Sequence, residues 1–470
     1  MRSMKRFGLI CLLVALIGSL LAGCGGGTGG AANGDKAPAN NQPDSGSKDA
    51  GNAAKPEDQQ KEVTISWWGA WGEDAGPANI IKHFNEKYPN IHVRYVQFNN
   101  TDEGNVKIDT ALLASEDIDV FFNYNVTRFD PRAKKNLLLD LTPYLERDQF
   151  NVEEELGTGI LTYDGKYYGL PVSSVSNAVF INKKMLDAAN LPVPEKWTIE
   201  EFKQYAAKLT QGAGADKVYG AADFHSMYYW ANPARGTLGS NAWYKEDGTS
   251  NFDHPAFKTS LQFKYDMENV EKIQYPYTEY KASKAQAFDI FMQQKAAMVV
   301  ASNAMARFLK DTEKYPRDFI ATAAPLPTLE KDQAENFNLG LQYFGFLAIS
   351  KNSKHKDEAW TFMKWLATEG SVYLAEVGHI PTWKKTDKDE VVKIMLGEDA
   401  DKIVDVEAFK RVVLNNDQPS YNDTELTAYA QVYKIMQDEA EKVMFDMQTV
   451  DEAIQVMKKE SDEAIKNANN

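Results

Sequence analysis

The chain has 470 residues, 43% of them apolar and 25% charged, proportions that exclude wholesale disorder and leave room for two or more domains. Fifty-two Lys and Arg against 67 Asp and Glu give a net charge of −15, which argues against a general nucleic-acid binder because phosphate backbones need basic surface. Only two cysteines are present, Cys11 and Cys24, so the body beyond them has neither disulfides nor thiolate metal sites.

Arg2, Lys5 and Arg6 form a basic start, followed by the apolar run Leu9–Ile17. That run is too short to span a bilayer stably, and small residues follow it, as in a secretory signal. It ends in Leu21-Ala22-Gly23-Cys24, which resembles a bacterial lipobox. The resemblance implies that residues 1–23 are a cleaved signal peptide and that Cys24 becomes the lipid-bearing first residue. Residues 25–60 contain no aromatic residue, Leu, Ile, Val or Met, and cannot bury enough apolar surface to offset ordering entropy. Residues 24–61 therefore read as a lipid anchor and a flexible tether with a reach of roughly 30–35 Å. Loss of the three basic residues with the signal leaves a body still more acidic than the whole chain.

From Glu62 onward the elements alternate. Val63–Trp68 reads as a strand, Pro77–Tyr88 as a helix with Ile80, Ile81, Phe84 and Tyr88 on one face, and Ile91–Val96 as a strand of period two. Gly104–Ala114 reads as a helix and Ile118–Phe122 as a buried strand. This order predicts a parallel, layered α/β sheet, in which ligands sit beyond the carboxyl ends of strands. Those ends are Trp67–Trp71 and Asn123–Asn125. Ala178–Asn182 reads as a strand and Thr198–Thr210 as a helix, where Thr198 and Glu201 form a capping box. Pro255–Lys272 and Lys281–Gln294 read as helices, Ala296–Ala301 and Gly345–Ser350 as strands, and Lys356–Thr368 as an amphipathic helix. The tail is helical over Asp423–Phe445 and Val450–Asn467, and no internal repeat is present.

Several segments together resemble the family 1 extracellular solute-binding proteins, the carbohydrate receptors of ABC importers. Val63–Gly72 resembles the opening strand and its tryptophan-rich loop, and Phe84–Val93 the helix leading to the second strand. Asp119–Phe122 stands at the family's Asp-Val strand end, Asp164–Leu186 resembles the first lobe crossover, and Pro194–Phe202 the turn and helix after it. Phe291–Ala301 resembles the helix-strand step leading to a ligand loop, and Phe346–Gly370 the return into the first lobe. One departure stands out: Ser302-Asn303-Ala304-Met305 replaces the family's usual Gly-Trp or Gly-Pro-Trp. The resemblance implies a two-lobed, periplasmic-binding-protein-like α/β fold of type II, with the ligand cleft between lobes joined by hinge strands. It places lobe 1 at about 62–171 plus 342–395, and lobe 2 at about 172–341 plus 396–470. It also implies a monomer on the outer face of a cell membrane, held there by its lipid, with permease subunits of an ABC importer as partners.

A sugar presents a weakly polar C–H face and a rim of hydroxyls, so its site needs flat aromatics for stacking and planar polar groups for paired hydrogen bonds. Trp67 and Trp68 alternate across a strand, so at least one is core, and Trp71 is the better platform. Asp74 suits either a ligand or a helix cap. Asn123, Tyr124 and Asn125, with Arg128 just beyond, follow the third strand, and Ser176 lies at the first crossover among Ser173, Ser174 and Asn177. Tyr228 and Trp230 are the candidates in the aromatic segment 224–230; Asn303 and Arg307 follow the Ala301 strand, and Trp383 and Tyr421 complete the set. Each of these residues also admits a packing role.

Catalysis has little support. The six histidines show no HxH or HExxH spacing, and GxSxG and GxxxxGK[ST] motifs are absent. The acidic loop Asp247–Asp253 lacks the twelve-residue EF-hand pattern. No cofactor is implied and the chain reads as a receptor, not an enzyme. A glycosidase carboxylate pair, or the same fold binding a glycerophosphodiester, a polyamine or a peptide, remain the alternatives.

Overall fold

In the computed structural model, residues 61–114, 117–124, 126–223, 227–331, 342–415 and 423–469 are described. The signal, Cys24 and tether expectations, and the candidates Asn125 and Tyr421, lie outside them. Ten strands are present among these residues: β1 (Val63–Gly69), β2 (Ile91–Gln97), β3 (Val120–Asn123), β4 (Leu170–Val175), β5 (Asn177–Asn182), β6 (Tyr219–Ala222), β7 (Ala296–Ser302), β8 (Ala321–Ala324), β9 (Gln342–Ile349) and β10 (Ile380–Pro381).

Period-two burial sets the first strand: Val63, Ile65 and Trp67 are buried while Thr64 is exposed. The helix Pro77–Lys87 then lays Ile80 and Phe84, both fully buried, on the sheet and returns the chain to β2. β1 pairs in parallel with both β2 and β3, as the alternation predicts. β9 joins antiparallel between β3 and β4, and β10 closes the edge, giving the order β10-β4-β9-β3-β1-β2. Asp119 stitches the layer. Its carboxylate accepts the Ser66 backbone N–H at 2.8 Å and the Ser353 hydroxyl at 2.5 Å.

A second sheet of order β6-β7-β5-β8 carries the other lobe, with β6 and β7 parallel and β5 antiparallel to both its neighbours. The C-terminal helices Tyr429–Met444 and Val450–Ala468 pack beside this lobe, against Met227, Trp230, Trp243 and Phe257. The capping box at Thr198 and Glu201 forms as expected, and a second one sits at Thr449 and Glu452.

The chain leaves the first sheet at Ser176, the single residue between β4 and β5. β4 stays paired with β9 through Val175, past the boundary expected at 171, because strand pairing continues beyond Pro171. The helix Lys388–Leu396 buries Val391, Val392 and Met395 in one cluster with Phe180 and Val299 of the second sheet and Met305 of the helix Met305–Lys310. The single helix expected at 281–294 is two, Tyr277–Ser283 and Ala287–Met292, because Lys284 adopts a left-handed conformation (φ 56°) between them. No helix among the described residues is long and apolar enough to cross a membrane.

Candidate functional site

β1 and β3 run the same way, while β9 starts and β4 ends where they finish. One sheet edge therefore gathers Trp71, Tyr124, Phe344, Ser173 and, just before β10, His379. Trp71 is half-buried. Its ring meets Phe122, Tyr124 and His379 edge-on, with centroids 4.6, 5.4 and 5.4 Å away. Phe344 closes the group at 4.9 Å from His379.

The backbone beneath Trp71 is held from both sides. The Ala70 N–H donates to the Tyr124 hydroxyl at 2.6 Å, and the Tyr95 hydroxyl donates to the Trp71 carbonyl at 2.9 Å. Burial pushes both phenols far above their ordinary pKa, so they stay neutral hydrogen-bonding groups. His379 Nδ1 lies 3.1 Å from the Ser173 hydroxyl. Burial, and then the charge of Arg307, depress the His379 pKa to about 4, so the ring is neutral at physiological pH. Arg307 comes from the second lobe, on the helix Met305–Lys310, and lies against Gly378.

The second lobe carries its own aromatic group. Tyr228 stacks on Tyr433 at 5.0 Å, and the guanidinium of Arg235 lies over the Tyr228 and Trp243 rings. Arg235 is buried, ion-paired with Asp423 at 3.2 Å, and donates to the Tyr228 hydroxyl. A neighbouring cavity of about 40 Å³ is lined by Asp223, Tyr229, Trp230, Asn232 and Lys264. Lys264 is held there by Glu268 at 2.6 Å and Asp223 at 3.1 Å.

Two α/β sheets, an aromatic wall at a carboxyl edge of one and a one-residue crossover between them thus frame the site. Residues 69–373 match the model of the bacterial extracellular solute-binding protein family. The chain belongs to that family. Among curated proteins, the maltotriose-binding protein of Pyrococcus abyssi is 26% identical over 266 residues, 56% of this chain and 54% of that protein. The chain thus spans about half the length of the curated relatives it matches. A sugar transporter of Rhizobium etli in an open conformation superposes with a TM-score of 0.70 at 20% identity, covering 86% of this chain and 99% of that one. UgpB of Mycobacterium tuberculosis, in complex with glycerophosphocholine, superposes with a TM-score of 0.65 at 17% identity, covering 87% and 99%. These two likenesses establish the two-lobed fold.

Within this solute-binding protein the sequence candidates divide. Trp71 and Tyr124 meet at the wall, and Arg307 is exposed on the other lobe with its side chain against Gly378, the residue before His379. Asn123 is buried: its amide oxygen accepts from Arg132 at 2.7 Å and its NH₂ donates to the Phe346 carbonyl at 3.2 Å. Arg128 pairs with Asp102, and Asp74 is exposed in the short 3₁₀ turn Glu73–Ala75. Trp230 is only 2% exposed, packs on Phe257 and lines the cavity beside Lys264, and Tyr228 is engaged by Arg235. Trp383 donates its indole N–H to Glu155 at 2.8 Å.

Ser176 and Asn303 belong to the crossover. The Ser176 N–H donates to the Asn303 side-chain oxygen at 3.0 Å, the Asn303 N–H returns a bond to the Ser176 carbonyl at 2.7 Å, and the Asn303 NH₂ donates to the Gly378 carbonyl at 2.5 Å. Asn303 thus ties three segments where the family often has an aromatic ring. His379 and Phe344 are the wall residues that sequence reasoning missed. His379 carries no motif, and its polar partner Ser173 lies 206 residues away.

Proposed function

We propose that the protein is a lipid-anchored receptor on the outer face of the cell membrane that captures an oligosaccharide between its lobes and delivers it to an ABC importer. The aromatic wall of Trp71, Tyr124 and Phe344 carries this reading. A sugar's C–H face gains from an aromatic plane, and its hydroxyls need neutral polar partners inside a closing cleft. The binding of maltotriose by the Pyrococcus relative supports the same ligand class. The lipobox-like Leu21–Cys24 and the apolar-poor tether support the anchor and the extracytoplasmic location. Partnership with permease subunits follows from the family, and the protein is read as a monomer that does not alter its ligand.

Arg307, whose charge is felt by His379, favours a second reading, a glycerophosphodiester, because a phosphate needs a cation. Native mass spectrometry of freshly purified protein, followed by calorimetry with maltose, maltotriose, longer maltodextrins and glycerophosphocholine, separates the two. Saccharide binding without product formation is the expected result. No binding to any saccharide removes the sugar assignment, and binding of glycerophosphocholine alone replaces it. Trp71→Ala should weaken saccharide binding by about tenfold, the order expected for one lost stacking face, and should also lower the unfolding midpoint, because the ring packs on Phe122, Tyr124 and His379.

A further inference from the structure

The hydrogen bonds around Ser173 determine which nitrogen of His379 carries a proton. The Ser173 hydroxyl donates its one hydrogen to the Phe344 carbonyl, an oxygen that can only accept. The same hydroxyl oxygen lies 3.1 Å from His379 Nδ1. With its hydrogen committed, Ser173 can only accept there, so Nδ1 must be the N–H of the ring. A neutral imidazole has one N–H, so Nε2 holds a lone pair. The Nδ1 side is the one held against β4 and β9. The ring keeps some exposure, and its neighbours are the faces of the ligand wall, Trp71 and Phe344.

We propose that His379 is a specificity-determining residue of the ligand cleft, presenting Nε2 as a hydrogen-bond acceptor to a ligand hydroxyl beside Trp71. The inference rests on the sugar reading and sharpens it. An imidazole lone pair receives a hydroxyl hydrogen and opposes a phosphate or carboxylate oxygen, which has no hydrogen to give. Arg307, whose charge reaches the same ring, is a donor only. A phosphate would turn to the cation Arg307, whereas the imidazole lone pair can be satisfied only by a group that carries a hydrogen. His379 therefore selects a neutral polyol over an anion at this position.

Two measurements test the assignment. The ¹⁵N imidazole shifts of the unliganded full-length protein at pH 7 should show His379 protonated at Nδ1 and bare at Nε2. An Nε2–H tautomer or a charged ring overturns the proposal without reference to any ligand. Calorimetry then compares maltotriose with its monodeoxy derivatives on the wild type, on His379→Phe and on His379→Gln. The wild type should bind one monodeoxy sugar about tenfold more weakly than the parent, the loss expected for one hydrogen bond in a closed site. His379→Phe should bind both equally, and His379→Gln, which keeps an acceptor, should restore part of the discrimination. Thermal unfolding of each variant separates a folding defect from lost recognition. Equal maltotriose affinity of the wild type and a folded His379→Phe overturns the role of His379 alone. Wild-type protein that binds no saccharide overturns the sugar reading itself.

Discussion

An amide buried against a guanidinium is committed to the core, and Asn123 is in that position. Arg132 is 2% exposed and spends its donors on Asp109 at 2.7 Å, on the Asn123 side-chain oxygen and on Asn105. Asn123→Ala would leave a guanidinium N–H unpaired in the core. We predict a loss of about 1–3 kcal/mol in unfolding free energy, read by denaturant titration, with saccharide affinity unchanged in the folded fraction. A loss of affinity at unchanged stability would return Asn123 to the ligand site. His379 sets a pH window. Its folded pKa of about 4 lies below the ordinary 6.5, so the unfolded chain binds the extra proton first as pH falls. The stability it contributes is full above pH 6.5 and is lost progressively down to pH 4. Urea midpoints measured from pH 7 to 4 should fall, and fall less steeply in His379→Gln. Parallel curves would show that His379 is not held neutral by the fold.

Among the elements, β9 bears most directly on the site. Gly345 adopts φ +83° within the strand, a conformation that L side chains rarely take, and a Cβ there would sit 2.0 Å from the Phe122 ring. Phe122 in turn supports Trp71. Gly345→Ala should therefore cost about 2–4 kcal/mol of stability through strain and overpacking. It should also weaken saccharide binding by displacing the wall, measured by thermal unfolding and calorimetry. A variant as stable as wild type would mean that the strand can relax without that clash. The long elements were legible in the sequence, because apolar period and caps are local: the helices at 77–87, 199–209 and 450–468 appear where the spacing predicts. Short helices such as Val126–Lys134 and Val406–Val412 were missed, since three or four apolar residues within two turns set only a weak period. The break at Lys284 was missed because lysine has no preference for a left-handed φ.

For the molecule as a whole, the crossover at Ser176 and its bonds to Asn303 and Gly378 place a small hydrogen-bonded joint between two large cores. Chain segments joined this way can rotate while each core stays packed, which is the hinge type of domain motion. Ligand should shift the population toward closure by its differential affinity for the closed state. We predict a smaller radius of gyration by small-angle X-ray scattering on adding a saturating saccharide, and a rise in the unfolding midpoint with saccharide concentration. An unchanged radius at saturation would remove the closure mechanism.

The class of the protein, its alternating first lobe and its acidic body are written in period, composition and short motifs, because those signals arise between near neighbours in the chain. The edge where the aromatic wall assembles was also readable, since parallel strands gather their loops at the carboxyl end. Which residues at that edge remain available was decided only by tertiary structure. Asn123 is bonded to Arg132, and His379 is oriented by Ser173 and shifted by Arg307. Each outcome depends on hydrogen bonds and burial between groups far apart in sequence, and no local pattern encodes which of two polar neighbours will meet a buried partner first.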